Sequence, residues 1–144
     1  MLRNLKICQT SYCSGLEITS QVVIKLQNLR SLELKEFVGL FMLPEEIKLL
    51  YQLTRLDLTG CSLLKLPEGL GELYALECLN LSWCAGLKNL PKSIGELQSV
   101  RTLNLQFCKK LSQIPESLGQ LKLLRILKLK GCCSLQKLPR CLVN

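Results

Sequence analysis

The chain has 144 residues, of which 48% are hydrophobic and 5% aromatic, and it carries a net charge of +8 at pH 7. This length and composition predict one domain with an aliphatic core. The chain contains no histidine, which excludes Ser-His and Cys-His nucleophilic catalysis and the usual zinc-binding spacings. No segment approaches the roughly 20 consecutive apolar residues that a membrane-spanning helix requires.

Proline marks an internal repeat. The five prolines follow one another at intervals of 23, 24, 24 and 24 residues, and each comes directly after a leucine or isoleucine. Around them the pattern LxxLxLxxCxxLxxLPxxIGxL recurs, and residues 76–97 contain all of it. A repeat of this length indicates stacked coils that share one apolar core, because a single coil cannot bury its own apolar residues.

In chain order, residues 1–28 predict a degenerate first coil in which Cys13 and Leu16 keep the apolar phase and residues 18–20 replace the Leu-Pro step. Residues 29–144 then form regular repeats of 23 or 24 residues. About six coils account for the chain, and neither end shows an obvious polar capping repeat. We therefore predict a single solenoid domain over residues 1–144.

Each repeat predicts the same local structure. Apolar and polar residues alternate in segments such as Leu56-Asp57-Leu58, which is typical of a strand buried on one face. The apolar spacing then changes to steps of three and four, as at Ile94 and Leu97, which favours a short helix or 3₁₀ turn opened by proline. The predicted fold is an α/β solenoid with a concave parallel β-sheet and short helical or 3₁₀ turns on its convex side. Glutamate after proline, as at Glu45, suits the positive end of a helix dipole, and the recurrent Gly71 and Gly95 suggest close backbone approach.

Four cysteines occupy one phase of the repeat, where Phe37 and Thr10 replace cysteine in other coils. We call Cys61, Cys84, Cys108 and Cys132 the cysteine column. At this phase a small, weakly polar side chain turns inward and can satisfy nearby backbone, so buried free thiols are expected. Adjacent members lie about 4.8 Å apart in a parallel sheet, which leaves disulfides open as an alternative. The chain has no CxxC spacing, and we expect neither a metal nor another cofactor.

Charged residues give little support for catalysis or for nucleic-acid binding. Glu33 and Asp57 share one outward phase and could in principle form a carboxylate pair, but acids on an open surface are more often simply solvated, so we expect no enzymatic activity. The densest basic group lies in the last coil: Arg125, Lys128, Lys130, Lys137 and Arg140. Docking on nucleic acid or acidic lipid remains an alternative, although Glu33, Glu36 and Asp57 interrupt any basic stripe.

Two adjacent repeats carry a family resemblance. LNLSWC and LNLQFC, followed by LPKSIGEL and IPESLGQL, resemble the leucine-rich repeats of plant intracellular disease-resistance proteins, which also contain a nucleotide-binding domain. The resemblance covers about residues 28–142. It implies a leucine-rich-repeat solenoid that acts as a non-enzymatic protein-recognition module in cytoplasmic defence signalling. Its partner would be another protein or other domains of a parent receptor; a structural spacer or an intramolecular regulatory segment is the alternative.

The predicted binding surface consists of outward strand positions that the apolar core does not use. Trp83 and Phe107 form its aromatic centre, because exposed tryptophan often contributes disproportionately to protein interfaces. Packing of both rings over the loop at the strand end remains an alternative. The full set of predicted protein-binding residues is Trp83, Phe107, Asp57, Asn80, Ser82, Asn104, Gln106, Glu33, Arg55, Thr59, Thr102, Lys128 and Lys130.

Overall fold

Six parallel strands form one sheet in which the spatial order follows the sequence order. This computed structural model describes residues 1–8 and 17–143. The predicted first-coil positions Thr10, Cys13 and Leu16 lie outside the described residues. The strands are β1 (Asn4–Cys8), β2 (Ser31–Lys35), β3 (Arg55–Asp57), β4 (Cys78–Asn80), β5 (Thr102–Asn104) and β6 (Ile126–Lys128).

The leucine repeat sets the register of this sheet. Leu56 pairs with Leu79 and Leu79 with Leu103, and each is at most 1% exposed. Because side chains alternate across a strand, a shift of one residue would turn every such leucine outward. The predicted parallel sheet with an aliphatic core is therefore confirmed. We number the coils 1 to 6 by the strand that each contains.

Each coil has a short helical turn on the other side from its strand, and in coils 1 to 5 this turn leads into the next strand. Coil 1 uses helix α1 (Ser20–Lys25), and the other coils use 3₁₀ turns at Glu45–Leu49, Glu68–Glu72, Lys92–Glu96, Glu116–Gln120 and Arg140–Leu142. Each 3₁₀ turn begins directly after the repeat proline, whose carbonyl accepts the N–H three residues later; the distance from Ile47 N to Pro44 O is 3.1 Å. The prediction that proline opens the turn is confirmed.

The glutamate after proline bonds to the next coil. Glu45 Oε2 accepts the N–H of Gly69 at 2.8 Å, and Glu68 Oε2 accepts that of Ser93 at 3.0 Å. Glu116 makes the same contact with the N–H of Arg140 at 3.0 Å. The expectation that these acids act on the dipole of their own turn is thus incomplete, because each carboxylate caps the first turn of the following coil.

Glycine in the 3₁₀ turns permits close stacking of successive coils. A Cβ at Gly71 would collide with the carbonyl oxygen of Ser93, and one at Gly95 would collide with that of Ser117. Both glycines are buried. The predicted close backbone approach at this phase is confirmed.

The cysteine column lies inside the solenoid. Its thiols donate to backbone carbonyls of the preceding coil: Cys61 to Leu34 at 2.7 Å, Cys84 to Leu58 at 3.1 Å, Cys108 to Leu81 at 3.1 Å and Cys132 to Leu105 at 3.0 Å. Burial raises the pKa of the Cys61 thiol to about 11 and that of Cys108 to about 12. Phe37, also fully buried, takes this phase in coil 2. The predicted burial holds for the first three members, whereas Cys132 is half-buried.

Coil 6 is less well packed than the coils before it. Leu124, Leu127 and Leu129 are only half-buried, whereas Leu76, Leu79 and Leu81 at the same phases of coil 4 have no exposed surface. Each interior coil has a neighbour on both sides, and in the described part of the chain coil 6 has one. Within residues 1–8 and 17–143, no helix has the length and hydropathy needed to cross a membrane.

Candidate functional site

The register brings the outward strand positions together on the concave face. Asp57 of β3 lies beside Asn80 of β4, which lies beside Asn104 of β5 and then Lys128 of β6. Two residues earlier in each strand, Arg55, Cys78, Thr102 and Ile126 form a second row. The predicted site residues thus come from adjacent coils and share one face, but they differ in how accessible they are.

An ion-pair network covers the concave face of coils 2 and 3. Lys35 Nζ lies 3.5 Å from Glu33 Oε2 and 3.5 Å from Asp57 Oδ2. Arg55 contacts the same two acids, with Nε 3.6 Å from Glu33 Oε1 and Nη2 3.4 Å from Asp57 Oδ2. Lys6 from coil 1 approaches Glu33 Oε2 at 3.8 Å. The acids are therefore neutralised by neighbouring cations, which is the arrangement of a structural network.

Asp57 is the buried centre of this network, and its side chain is 1% exposed. Burial opposes its ionisation, but hydrogen bonds from Thr59 and the positive charges of Lys35 and Arg55 outweigh that effect and hold the pKa of the Asp57 carboxyl below its usual value. The attraction of Asp57 in turn raises the pKa of Lys35. The expectation that Asp57 flanks a binding surface is wrong in one respect, because its side chain is too buried to contact a partner directly.

Three residues in the Asp57 row hold the ends of their own strands. Asn80 Oδ1 accepts the N–H of Ser82 at 3.1 Å, and Asn104 Oδ1 accepts that of Gln106 at 3.0 Å. Asp57 Oδ1 accepts the N–H of Thr59 at 3.1 Å in the same way. A short polar side chain that bonds to the backbone two residues later stabilises a turn. These acceptors are therefore already engaged.

Exposure separates the remaining predicted residues into three groups. Ser82 is only 6% exposed, with its hydroxyl 3.3 Å from that of Thr59, so its expected role as a contact residue is also wrong. Half-buried residues are Glu33, Thr59, Asn80, Thr102, Asn104, Gln106 and Phe107. Exposed residues are Arg55, Trp83, Lys128 and Lys130.

Every coil from 2 to 6 has a left-handed residue just after its strand. This strand-end column consists of Glu36, Gly60, Trp83, Phe107 and Gly131, whose φ angles are +55°, +72°, +63°, +60° and +77°. In coils 2 to 5 the N–H of this residue donates to a carbonyl of the next coil; Trp83 N, for example, lies 2.8 Å from Gln106 O. Glycine adopts this conformation freely, whereas a residue with a Cβ pays roughly 1–2 kcal/mol.

The exposed Trp83 stacks on the half-buried Phe107 at this strained position. Their ring centroids lie 4.2 Å apart with an interplanar angle of 19°. Trp83 is 52% exposed, and Lys130 Nζ lies 6.0 Å from the centroid of the Phe107 ring. The sequence indicated that the two aromatic residues are neighbours. Their backbone conformation was missed, although the signal was present as glycine at the same phase in coils 3 and 6.

Sequence reasoning also missed an apolar patch beside the sheet. Val38, Phe41, Met42 and Leu64 are each more than half exposed. The N–H of Leu64 donates to the carbonyl of Phe41 at 3.0 Å, which places these two loop segments next to each other. The available signal was Phe41-Met42 directly before a Leu-Pro step.

Comparison with known proteins agrees with this geometry. A family model described as a leucine-rich repeat region matches residues 1–144. The chain belongs to the leucine-rich-repeat family. The resemblance and the solenoid fold inferred from the sequence are thereby confirmed.

Individual relatives include plant proteins. A curated relative from Arabidopsis thaliana, Protein SUPPRESSOR OF npr1-1, CONSTITUTIVE 1, is 33% identical over a match that covers 60% of this chain and 7% of that protein. The leucine-rich-repeat domain of the type III effector XopL is 32% identical, with a TM-score of 0.77, and the match covers 82% of this chain and 40% of that one. The ectodomain of the Arabidopsis receptor kinase GASSHO1/SCHENGEN3, in complex with CASPARIAN STRIP INTEGRITY FACTOR 2, is 25% identical with a TM-score of 0.52, covering 87% of this chain and 18% of that one. The chain thus spans less than a tenth of the curated relative.

Proposed function

We propose that this leucine-rich-repeat region is a non-enzymatic protein-recognition module of cytoplasmic plant defence signalling, and that it binds through the concave face of coils 4 to 6. The observation that carries the proposal is that the exposed Trp83 stacks on Phe107, with both residues on strained backbone. Leucine-rich repeats are protein-interaction modules, and the aromatic stack marks the part of this surface that we propose as the binding site.

Strain at the strand-end column supports the aromatic pair as the anchor. Gly60 and Gly131 show that this solenoid accommodates glycine at the same position of a coil. At positions 83 and 107 the chain instead carries two of its largest side chains at φ above +55°. Strained conformations cluster at binding sites, where the surrounding structure maintains them. A ring that is half-exposed in the free chain contributes binding free energy when a partner buries the rest of its surface.

Ion pairing between neighbouring side chains makes the other half of the concave face, in coils 1 to 3, a less favourable binding surface. In coils 1 to 3, Glu33 and Asp57 are surrounded by Lys6, Lys35 and Arg55. A partner would have to replace those contacts to use the charges, and surface ion pairs contribute little by themselves. Coils 4 to 6 present polar and aromatic side chains without such a network among the described residues.

The comparisons support a role in protein recognition within a plant. The GASSHO1/SCHENGEN3 ectodomain has the same fold and is recorded in complex with CASPARIAN STRIP INTEGRITY FACTOR 2. The curated relative is also from a plant. Our assignment to defence signalling rests on these similarities and on the repeat sequence itself.

Site-specific photo-crosslinking tests the proposal. A photoreactive amino acid replaces Gln106 on the concave face, and in a matched control it replaces Gln120 in the exposed 3₁₀ turn of the same coil. After irradiation in plant leaf extract, we expect a discrete protein adduct from position 106 and none from position 120. The adduct should disappear when Trp83→Ala is added.

Other crosslinking results would contradict the proposal. Adducts from position 120 alone would move the interface to the convex side. No adduct from either position would favour a structural spacer, and an adduct that survives Trp83→Ala would remove the aromatic stack from the interface.

A further inference from the structure

We propose that the partner docks an acidic, extended segment across β4 to β6, with an aromatic side chain packed against Trp83. This inference rests on the proposed function and specifies the chemistry of the partner. Its basis is the distribution of charge along the solenoid, together with the position of the Trp83–Phe107 stack.

The net positive charge belongs entirely to the C-terminal third. Residues 97–144 contain nine of the 19 lysines and arginines but only one of the 11 acidic residues, Glu116. Residues 1–96 contain ten basic and ten acidic residues and are balanced. The excess of +8 therefore lies in coils 5 and 6 and the turn that leads into them.

Four of these cations lie on β5 and β6 or at their ends, two on the side of the aromatic stack and two at the opposite ends of the strands. Lys128 is the register neighbour of Asn104, and Lys130 lies over the face of Phe107. Arg101 and Arg125 precede β5 and β6 and are adjacent, since Arg125 N lies 2.9 Å from Arg101 O. All four side chains are exposed. The ion pairs found in the described part of the chain all lie within residues 6–72, and none involves these four residues.

Uncompensated cations beside an aromatic stack, and at the far ends of the same strands, fit an acidic peptide that carries one ring. Charges at the rim of an interface mainly raise the association rate and suppress partners of the wrong sign. Burial of an aromatic anchor supplies most of the affinity. Together the two features would select segments that carry both carboxylates and an aromatic side chain.

The stack is less suited to single-stranded nucleic acid. Such sites bind successive bases on separate aromatic faces along a basic groove. Here Trp83, Phe107 and Lys130 come from consecutive coils, so Phe107 lies between the indole and the lysine. Phe107 covers one face of Trp83, which is 52% exposed, so the indole offers at most one stacking position for a ring.

Fluorescence offers a direct assay because Trp83 is the only tryptophan in the chain. The probes are synthetic peptides of about ten residues, which at roughly 3.3 Å per residue are long enough to cross the sheet. One peptide has a central Phe with Asp/Glu flanks, one has Ser/Gln flanks, one has Lys flanks, and one keeps the acidic flanks but has Ala for Phe. A polyuridine RNA of the same length supplies phosphate without a peptide.

We expect only the acidic Phe peptide to shift Trp83 emission at low concentration, with binding that weakens as salt increases. The double variant K128E/K130E should weaken this binding about tenfold or more. The matched control K65E/K88E changes two exposed lysines elsewhere and alters net charge equally, so it should have little effect. If K128E/K130E does not fold by circular dichroism, K128Q/K130Q replaces it.

Several outcomes would overturn the inference. These are equal binding of the neutral or basic Phe peptide, equal loss in both lysine double variants, preferential binding of the RNA, or no emission change with any peptide. An adduct at position 106 in the crosslinking experiment would show that protein recognition survives such a failure. Absence of that adduct would instead mean that the proposed function itself has failed.

Discussion

Replacing Trp83 with glycine should leave the protein more stable than replacing it with alanine. This reverses the usual order, since glycine in a folded segment normally costs roughly 0.5–1 kcal/mol relative to alanine through its greater freedom when unfolded. Position 83 has a φ of +63°. Alanine retains the Cβ and its left-handed penalty of roughly 1–2 kcal/mol, whereas glycine removes that penalty. The difference favours glycine by about 0.5–1 kcal/mol.

A third variant, Leu81→Ala, sets the scale. Leu81 has no exposed surface, so its truncation should cost roughly 2–5 kcal/mol, including the cavity that it leaves. Trp83 is 52% exposed and mainly contacts Phe107 across the stack. Loss of an aromatic pair contributes about 0.5–1.5 kcal/mol beyond buried area. We therefore expect Trp83→Ala to cost clearly less than Leu81→Ala, and Trp83→Gly to cost least.

Urea unfolding followed by far-ultraviolet circular dichroism suits all three variants, because removing Trp83 also removes the only tryptophan signal. The midpoints should fall in the order wild type, Trp83→Gly, Trp83→Ala, Leu81→Ala. Both Trp83 variants should lose partner binding equally, since both lack the ring. A less stable glycine variant would refute the strain argument, and a Trp83→Ala variant as unstable as Leu81→Ala would mean that the ring is core packing.

Four other predictions concern stability and access. Lys92 occupies the place of Glu68 and Glu116, so Lys92→Glu should let a carboxylate cap Ser117 N and raise the free energy of unfolding in urea by about 0.5–1.5 kcal/mol. Glu68→Gln is the opposite control, and no gain would contradict the inter-coil capping seen at Gly69 and Ser93. Folding lowers the pKa of the Asp57 carboxyl. The stability that this carboxylate contributes is therefore present above about pH 4 and is lost as pH falls through the folded pKa. The free energy of unfolding of Asp57→Asn should accordingly change less between neutral and acid pH than that of wild type. Mass spectrometry after native alkylation should find Cys133 and Cys141 modified and Cys61, Cys84 and Cys108 unmodified; disulfides within the cysteine column would disprove this. Because coil 6 is less buried than coils 4 and 5, hydrogen exchange should be slowest in β4 and β5 and faster in β6. Size-exclusion chromatography should show self-association of the 144-residue chain as concentration rises, through its open apolar coil faces. Uniform protection in a strict monomer would contradict both expectations.

Much of the fold follows from the sequence because the repeat constrains it twice. The alternation around Leu79 defines a strand buried on one face, and the recurrence of the same residues in Leu56 and Leu103 defines which residues pair. The proline phase then places the 3₁₀ turns. Local pattern and long-range stacking agree at every coil, which is why the register was predictable without coordinates.

The candidate site was less predictable because exposure depends on neighbouring coils. Asp57 and Ser82 occupy outward phases, yet side chains from adjacent positions bury them. Glu45 was expected to act within its own turn, but its carboxylate reaches Gly69 in the next coil. Periodicity specifies the direction of a side chain, whereas burial requires knowing how far its neighbours in the next coil extend.

These contacts reduce the number of outward positions whose side chains are free to contact a partner. In the Asp57 row the acceptors of Asn80 and Asn104 bond to their own backbones, so changing these residues would also loosen the strand ends. At the strand-end column, any residue other than glycine carries a backbone penalty. The outward positions least constrained by packing are therefore the rows that contain Thr102 and Gln106. In coils 1 to 3 the ion-pair network restricts even these rows through Arg55 and Lys35. Partner selectivity should accordingly change most with substitutions at Thr102, Gln106, Ile126 and Lys130, where altered chemistry costs the solenoid least.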